Sequence, residues 1–277
     1  MVIDTHIHVF PDMLCPKVVD HMAKESPISP HTDGSIHQVI KNMNECGVDY
    51  GIMMPIVTNP NSQKNVNDYA CFVQHHYSQF FALGSVHPDA SDWKEELKRI
   101  KQMGLYGIKL HPDDQGFFMD DKQVYPLYEK IQELELPILF HTGYDPASPH
   151  VIHATPSMII SVARDFPDLT VIAAHTGAYA FFDLPLDYYE KIDNLYFDTA
   201  IAPYTISPQF YRRIINQYGA SRFLFGTDSP WSDGGCDKMY FDKVGITRNE
   251  RKKIMFQNAI NIYNLPLNLT QKDSEHE

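Results

Sequence analysis

Two histidines near the start of the chain have the spacing of metal ligands. They lie in Asp4-Thr5-His6-Ile7-His8-Val9-Phe10, a segment with the pattern of a β-strand. Because strand side chains alternate between faces, His6 and His8 project from the same side. Two imidazoles held a few ångströms apart on a rigid strand supply half of a metal site, although a lone His-x-His motif is weak evidence by itself.

Several later apolar segments of the chain also end in a potential metal ligand, either histidine or aspartate. They occur in Leu110-His111, Phe140-His141, Ala174-His175 and Thr227-Asp228. With His87, six of the fourteen histidines end predicted strands, and one aspartate joins them. A random distribution would place histidines mostly on helices and loops, so this concentration indicates that these side chains serve one site.

The elements that must position these residues follow from the alternation of short apolar segments with amphipathic ones. Strands are predicted at 2–9, 48–57, 80–87, 106–111, 137–141, 170–175, 194–199 and 222–228. Helices are predicted at 35–46, 66–78, 92–103, 125–135, 156–165, 208–218 and 248–263, with a less regular one at 179–192. Eight strand-then-helix units predict an α/β protein with the fold of a (β/α)8 TIM barrel.

The alternative fold is an open doubly wound sheet, which usually carries a Gly-rich phosphate turn after its first strand. This chain continues instead with Phe10-Pro11-Asp12. Two long segments, 11–34 and 229–247, are predicted as loops after strands 1 and 8 that overhang the active-site end of the barrel, the first partly helical at 17–24. Residues 1–267 are predicted to form a single barrel domain, and 268–277 a disordered tail.

Four of the side chains that end strands could bind one divalent cation. Such a catalytic metal needs three or four imidazole or carboxylate ligands and one open position for water. The predicted ligands are His6, His8, His141 and Asp228. A bound metal lowers the pKa of its water to about 7, which provides hydroxide at neutral pH. His175 is predicted beside this water or the substrate carbonyl, as a proton shuttle or electrophile.

These motifs resemble the amidohydrolase superfamily, and within it the amidohydrolase-2 branch of aminocarboxymuconate-semialdehyde decarboxylase-like enzymes. The matching motifs, which span nearly the whole chain, are Asp4-Thr5-His6-Ile7-His8, Gly107-Ile108-Lys109-Leu110-His111-Pro112, His141-Thr142-Gly143, His175-Thr176-Gly177, Phe225-Gly226-Thr227-Asp228-Ser229-Pro230 and Asn258-Ala259. The resemblance implies a barrel with one catalytic metal ion, most often zinc, the ligands named above, His175 as the catalytic histidine, and a homo-oligomer such as a homodimer.

Further residues are predicted to contact the substrate, namely Phe10, Lys109, His111 and Trp231. Lys109 and His111 share one face of strand 4. Barrel relatives with two metals use a carbamylated lysine on this strand as a bridge. The branch that the chain resembles works with one metal, so Lys109 is interpreted first as a structural or anion-binding cation. Phe10 and Trp231 follow strands and are candidate pocket walls, although aromatic residues there also pack lids.

Two enzymatic functions fit these residues. In the first, metal-bound hydroxide hydrolyses a small amide, ester or lactone, while His175 polarises the carbonyl and Asp228 carries the proton to the leaving group. The alternative is non-oxidative decarboxylation of a small carboxylic acid, a carbon–carbon lyase reaction. A decarboxylase substrate needs a cation in the pocket, and nearly all arginines are predicted on helices or at the far ends of strands. Hydrolysis is therefore the preferred function.

Two further classes are disfavoured by missing features. Related barrel deoxyribonucleases share the Asp-Thr-His-x-His opening but carry a Gly-Glu strand motif that strands 3 and 4 lack. A non-catalytic metal protein would close its coordination shell with a fourth protein ligand and would not need His175 nearby.

Composition limits the partners and the compartment. The formal net charge of −12 argues against a broad surface for nucleic acid or anionic membranes, so the expected partner is a small-molecule substrate. No apolar segment reaches the roughly 18 residues of a membrane span. The four cysteines are scattered without a C-x-x-C pair. With no signal-peptide pattern, they predict a cytoplasmic protein with reduced thiols.

Overall fold

The computed structural model describes residues 1–146, 148, 150–177, 185–189 and 192–267. The predicted tail at 268–277 and most of the irregular helix predicted at 179–192 lie outside these residues. The strands are β1 (Ile3–Ile7), β2 (Tyr50–Met53), β3 (Phe80–Ala82), β4 (Ile108–Leu110), β5 (Ile138–Phe140), β6 (Val171–Ala173), β7 (Leu195–Asp198) and β8 (Phe223–Leu224). Each lies within one of the eight predicted strands and is shorter.

Helices separate these strands along the chain, except between β6 and β7, where the described residues contain no α-helix. The α-helices of the described residues are α1 (Cys15–Met22), α2 (Ile36–Cys46), α3 (Gln63–His76), α4 (Trp93–Gln102), α5 (Pro112–Gln115), α6 (Tyr125–Glu133), α7 (Pro156–Asp165), α8 (Ala202–Thr205), α9 (Pro208–Tyr218), α10 (Gly234–Val244), α11 (Arg248–Lys252) and α12 (Asn258–Tyr263). A π-helical segment, Lys253–Gln257, joins α11 to α12, so the helix predicted at 248–263 is continuous.

The strands form two parallel sheets, with the orders β1-β2-β3 and β4-β5-β6-β7-β8. Backbone hydrogen bonds join the sheets at both seams. The Thr5 amide donates to the Phe225 carbonyl at 2.8 Å, and the Tyr106 amide donates to the Ala82 carbonyl at 2.9 Å. The strands therefore follow one another in the circular order of a (β/α)8 fold, which confirms the predicted fold class. An open doubly wound sheet would not bring its first and last strands together.

Two hydrophobic cores lie on the two faces of the sheets. Ile138 and Phe140 of β5 belong to the larger core, which the outer helices cover, whereas Leu139 belongs to a smaller one with Ile172 and Leu224. Alternate residues thus point to opposite faces, as in a barrel whose interior is filled by layers of side chains. The smaller core is the barrel interior.

The segment after β8 differs from the prediction. Residues 229–247 were expected to form a long loop, but they contain the eleven-residue helix α10. The Asp233 side chain caps its first turn by accepting a hydrogen bond from the Cys236 amide at 2.8 Å, and Gly245 ends it in the left-handed conformation. Two glycines at the start of α10 lower the helix propensity, which hid the helix. Burial of Phe241 on its inner face stabilises it.

The two long segments contact each other above the carboxyl ends of the strands. The His31 amide donates to the Pro230 carbonyl at 2.7 Å, and His31 Nδ1 lies 2.8 Å from Asp233 Oδ2. The first segment contains the short helix α1, close to the predicted helix at 17–24. Among the described residues no helix combines the length and apolar character needed to cross a bilayer.

Candidate metal centre and active site

Three of the predicted ligands meet at the end of β1. His6 Nε2 lies 3.2 Å from His8 Nε2, and Asp228 Oδ1 lies 3.1 Å from the first nitrogen and 3.2 Å from the second. The Asp228 amide donates to the His6 carbonyl at 2.9 Å, which fixes the segment after β8 against β1. We call His6, His8 and Asp228 the first donor cluster.

The hydrogen-bond partner of Nδ1 in each imidazole shows which ring nitrogen carries the proton. His8 Nδ1 lies 3.1 Å from the Met54 carbonyl oxygen, which can only accept a hydrogen bond, so this nitrogen carries the proton. His6 Nδ1 lies 2.6 Å from Asp198 Oδ2 and donates to that carboxylate. In the neutral rings both Nε2 lone pairs therefore face each other and Asp228 Oδ1. Three converging acceptors repel one another unless a cation lies between them, and two nitrogens with one carboxylate suit a divalent transition metal.

Electrostatics at the first donor cluster favour positive charge. Burial alone would lower the pKa of His6, but the carboxylates of Asp198 and Asp228 outweigh it and raise that pKa to about 9. Burial would raise the pKa of Asp228, yet His6 and His8 hold it well below its ordinary value. These residues therefore fit a bound cation, with a proton on His6 taking its place when no cation is present.

Asp198, at the end of β7, is a residue of the candidate site that the sequence analysis missed. It is fully buried. Its Oδ2 binds His6 Nδ1, and its Oδ1 accepts hydrogen bonds from the amides of His175 at 2.7 Å and Ala200 at 3.1 Å. A carboxylate that orients a metal-binding histidine is a common outer-shell arrangement. The sequence did carry a signal, because Asp198 ends an apolar strand in the same way as Asp228.

Asp4 fixes the same part of the barrel from within β1. Its Oδ1 accepts hydrogen bonds from the amides of His6 and Thr227, both at 3.0 Å, and its Oδ2 accepts one from the Thr227 hydroxyl at 2.6 Å. Burial raises the pKa of Asp4 to about 7. Asp4 thus ties β1 to the residue that precedes Asp228, which sets the separation of the first donor cluster.

His175 lies beside the first donor cluster, and His141 lies next to it. The rings of His175 and His6 are 5.4 Å apart, and His175 Nε2 is 3.2 Å from His141 Nδ1. Burial lowers the pKa of His175 to about 4 and that of His141 well below its ordinary value, so both rings are neutral at pH 7. The role of His141 as a fourth ligand stays a prediction, as does the catalytic role of His175.

Lys109 and His111 occupy the end of β4, as predicted. Lys109 is only 1% exposed, and burial lowers its pKa to about 8, although Asp198 and Asp228 act in the opposite direction. The ring of His111 stacks on that of His141 at 4.1 Å, and its Nε2 lies 3.1 Å from Asp145 Oδ2. Asp145 was not predicted, because it lies in a loop where no strand pattern marks its direction.

The two aromatic candidates lie at the edge of the site. Trp231 is 8% exposed, and its amide donates to the Asp228 carbonyl at 2.8 Å. The Phe10 amide donates to the Gly34 carbonyl at 3.0 Å, so Phe10 lies against the first long segment. Their contact with a substrate stays a prediction.

Sequence comparison relates the whole barrel to known proteins. A sequence model described as amidohydrolase matches residues 3–265. The chain belongs to the amidohydrolase-2 family. This confirms the resemblance given by the motifs. The amidohydrolase-2 chain is also similar to a gamma-resorcylate decarboxylase of Polaromonas sp. (strain JS666 / ATCC BAA-500), at 24% identity over an alignment of 238 positions, with 67% of this chain and 70% of that protein covered.

Solved structures of the same fold cover nearly the whole amidohydrolase-2 chain. An uncharacterized TIM-barrel protein of Bordetella bronchiseptica aligns at a TM-score of 0.78 and 21% identity, covering 95% of this chain and 98% of its own. A dihydroxybenzoic acid decarboxylase of Polaromonas sp. JS666 with bound manganese aligns at a TM-score of 0.72 and 17% identity. The alignment covers 96% of this chain and 98% of that structure. A Pseudomonas putida protein proposed to be a 2-pyrone-4,6-dicarboxylic acid hydrolase aligns at a TM-score of 0.70 and 18% identity, covering 96% of this chain and 98% of its own. At these identities the likeness shows the fold, and zinc stays a prediction.

Proposed function

We propose that this amidohydrolase-2 protein is a metal-dependent decarboxylase that releases CO2 from a small hydroxylated aromatic acid. The decarboxylases among its relatives support this reaction and substrate class. The observation that carries the proposal is the position of Lys109, a buried cation at the carboxyl end of β4. The reaction preferred from the sequence, hydrolysis, becomes the second candidate.

Lys109 is proposed to supply the cation that a carboxylic acid needs, in the anion-binding role that the sequence analysis offered for it. Arg99, Arg212 and Arg251 form ion pairs with acidic residues of the outer helices. Lys109 instead points into the barrel, since its register partner Leu139 belongs to the interior core. A pKa of about 8 keeps its ammonium mostly charged at pH 7, and a buried ammonium binds a carboxylate strongly.

His175 is the proposed proton donor. Decarboxylation adds a proton to the carbon that bears the carboxylate, and the carbon–carbon bond then breaks, returning its electron pair to the ring as CO2 leaves. His175 Nδ1 lies 3.5 Å from the Ala200 carbonyl, and Nε2, which lies 3.2 Å from His141 Nδ1, is the nitrogen proposed to carry the proton. Burial lowers the pKa of His175 to about 4, so the neutral ring must first take up a proton from solvent or from a substrate hydroxyl, and once protonated it is a strong acid towards carbon.

The first donor cluster is proposed to hold the metal, which when bound supplies a Lewis acid for the substrate oxygens. His6 and His8 are oriented for this by Asp198 and the Met54 carbonyl. His6 is buried, and the side chains of His8 and Asp228 are only 13% and 14% exposed, so electrostatic interactions within the cluster are stronger than they would be in water. Lys109 orients the carboxylate that leaves, and His175 acts at the carbon that is protonated.

Hydrolysis of a small lactone is the second candidate. The Pseudomonas putida structure supports it, because that protein is proposed to hydrolyse a pyrone dicarboxylic acid on the same fold. Such a substrate also carries carboxylates that Lys109 would bind. The two candidates therefore share the cation and differ in the bond that breaks.

One experiment separates the two candidates. Protein loaded with Zn²⁺ or Mn²⁺ is incubated with 2,6-dihydroxybenzoate, 5-carboxyvanillate and 2-pyrone-4,6-dicarboxylate, while CO2 release and acid production are followed in parallel. We expect CO2 in stoichiometric amounts with an aromatic acid, and none from a His175→Asn variant that retains its metal. Ring opening of the pyrone without CO2 from any acid would contradict the decarboxylase proposal and favour hydrolysis.

A further inference from the structure

We propose that Thr176 and Tyr211 are positioning residues that hold the turn carrying His175. This turn follows β6 and consists of His175, Thr176 and Gly177. We call these three residues the histidine turn. The inference rests on the proposed role of His175 as the proton donor, and it adds two hydroxyl groups that keep the ring in place.

The backbone of the histidine turn is left-handed at all three residues. The φ angle is 56° at His175, 60° at Thr176 and 75° at Gly177. Glycine adopts this conformation readily, but other residues rarely do, and a β-branched residue such as threonine is the least suited to it. Contacts from the rest of the structure must therefore hold the turn in this shape.

Two linked hydroxyl groups support the turn at its centre. Thr176 Oγ1 lies 3.3 Å from the main-chain carbonyl oxygen of Asp198 and 3.2 Å from the Tyr211 hydroxyl. Because a carbonyl can only accept, the proton of the threonine hydroxyl is donated to Asp198. The Tyr211 hydroxyl then donates to Thr176 Oγ1. The hydrogen bonds therefore run in one direction, from Tyr211 through Thr176 to the end of β7.

Tyr211 projects from α9 into the larger core and is fully buried. Its ring packs against Phe223 of β8 and Phe241 of α10, with ring centres 5.9 Å and 5.5 Å away. Burial raises the pKa of the hydroxyl well above its ordinary value, so it remains a donor at any pH at which the protein is folded. A polar group buried in this way has no water to replace a lost partner, which makes its hydrogen bond to Thr176 costly to break.

Asp198 attaches to two consecutive residues of the histidine turn. Its Oδ1 accepts the His175 amide at 2.7 Å, and its main-chain carbonyl accepts the Thr176 hydroxyl. Two attachments on neighbouring residues fix the peptide between them and hence the direction of the His175 side chain. Without the Thr176 hydroxyl the turn could relax towards the ordinary right-handed backbone, which would move the His175 ring away from His6.

Steady-state kinetics test the inference, with the aromatic acid that releases CO2 in the metal-loaded wild type as the substrate. Valine is β-branched like threonine, so Thr176→Val removes only the hydroxyl. It should lower kcat about 10–100-fold and change KM less than about threefold, because a displaced His175 slows the chemistry while Lys109 still binds the acid. Tyr211→Phe should lower kcat about tenfold for the same reason. Thr176→Ser, which retains the hydroxyl, should recover most of the wild-type kcat.

Tyr240→Phe is the matched control for Tyr211→Phe. The Tyr240 hydroxyl is also buried and donates to the Ile206 carbonyl at 2.9 Å, and its ring centre lies 5.8 Å from that of Tyr211. This substitution removes a comparable hydrogen bond without touching the histidine turn, so kcat should stay at the wild-type value.

Hydrogen exchange at the histidine turn separates this inference from the decarboxylase proposal. Mass spectrometry follows a peptide that spans residues 171–177. We expect it to exchange at least about tenfold faster in Thr176→Val than in the wild type, because the turn opens more often, and at the wild-type rate in Tyr240→Phe. If the wild type releases no CO2, the decarboxylase proposal fails and the exchange rates alone decide the inference.

An unchanged kcat in Thr176→Val would overturn the inference. An equal loss in Thr176→Ser and Thr176→Val would also overturn it, since the methyl group and not the hydroxyl would then be responsible. A rise in KM without a fall in kcat would show that the pair acts on substrate binding, which contradicts the proposal. Thermal unfolding establishes that each variant is folded, and Tyr211→Phe replaces Thr176→Val if the latter is not.

Discussion

The Asp198 carboxylate lies 2.6 Å from His6 Nδ1 and accepts its hydrogen bond on the side of the ring opposite Asp228. Its other oxygen accepts the His175 amide at 2.7 Å. One buried carboxylate at the end of β7 thus positions a predicted metal ligand and the predicted catalytic histidine. The relationship makes Asp198 a positioning residue whose loss should affect metal binding before it affects folding.

Replacing Asp198 with Asn should weaken Mn²⁺ or Zn²⁺ binding by about 10–100-fold, because His6 loses the anion that keeps its ring basic and oriented. The measurement is a metal dissociation constant obtained by competition with a chelator. Asp193→Asn is the control, since Asp193 precedes the same strand but pairs with Arg222 at the surface. Equal affinity in the two variants would show that Asp198 does not act through the metal.

Replacing Lys109 with Met should raise the dissociation constant of a carboxylate substrate or product analogue at least about tenfold, because the buried ammonium is the proposed partner of the carboxylate. Stability should not fall, since the substitution removes a buried charge. Isothermal calorimetry and thermal unfolding measure the two effects. Lys130→Met, which removes an ammonium paired with Glu133 on α6, should leave binding unchanged. Unaltered affinity in Lys109→Met would remove the basis of the substrate assignment.

Replacing Gly226 with Ala should lower both stability and metal affinity. A Cβ at this position would lie 2.9 Å from His6 Cβ and push β1 away from β8. Overpacking of this kind costs about 1–3 kcal/mol, and the displacement of His6 should weaken metal binding about tenfold. Gly84→Ala is the matched control, because its Cβ would meet Ile100 at 2.7 Å, on a helix outside the site. It should lose stability and keep its metal affinity.

Replacing Glu250 with Gln should lower stability at pH 7 by about 0.5–1 kcal/mol, because a two-point ion pair with Arg212 at the start of α11 is lost. The hydrogen bond from Arg212 lowers the pKa of Glu250 to about 2 from an ordinary value of 4.5. The stabilisation is therefore complete above about pH 5 and is lost as the pH falls towards 2.

Denaturant unfolding at several pH values measures this effect. The difference in the free energy of unfolding between the wild type and Glu250→Gln should shrink towards zero as the pH falls. Glu45→Gln is the comparison, because the Lys41–Glu45 pair is exposed and 3.9 Å long, so it should differ little from the wild type at any pH. If the difference in the free energy of unfolding stayed the same at low pH, Glu250 would act through helix capping alone.

The sequence by itself determined the elements and the local direction of side chains. Alternation along a strand places His6 and His8 on one side whatever the rest of the chain does. Helix caps are equally local: Thr155 and Ser207 accept the hydrogen bonds expected of N-caps, from Met158 and Phe210. The alternation of apolar and amphipathic segments was sufficient to predict eight strands, and the histidines that end several of them predicted the end of the barrel at which the candidate site lies.

Only the tertiary structure decided which of these side chains touch. Asp198 meets His6 across 192 positions of sequence, and no local pattern distinguishes that contact from the burial of any other strand-ending aspartate. Asp145 projects from a loop, where side chains do not alternate regularly, so the sequence does not predict the direction in which it points. The helix at 234–244 forms because packing of its inner face outweighs two glycines. Contacts between distant segments depend on the closure of the whole barrel, which a local sequence pattern does not encode.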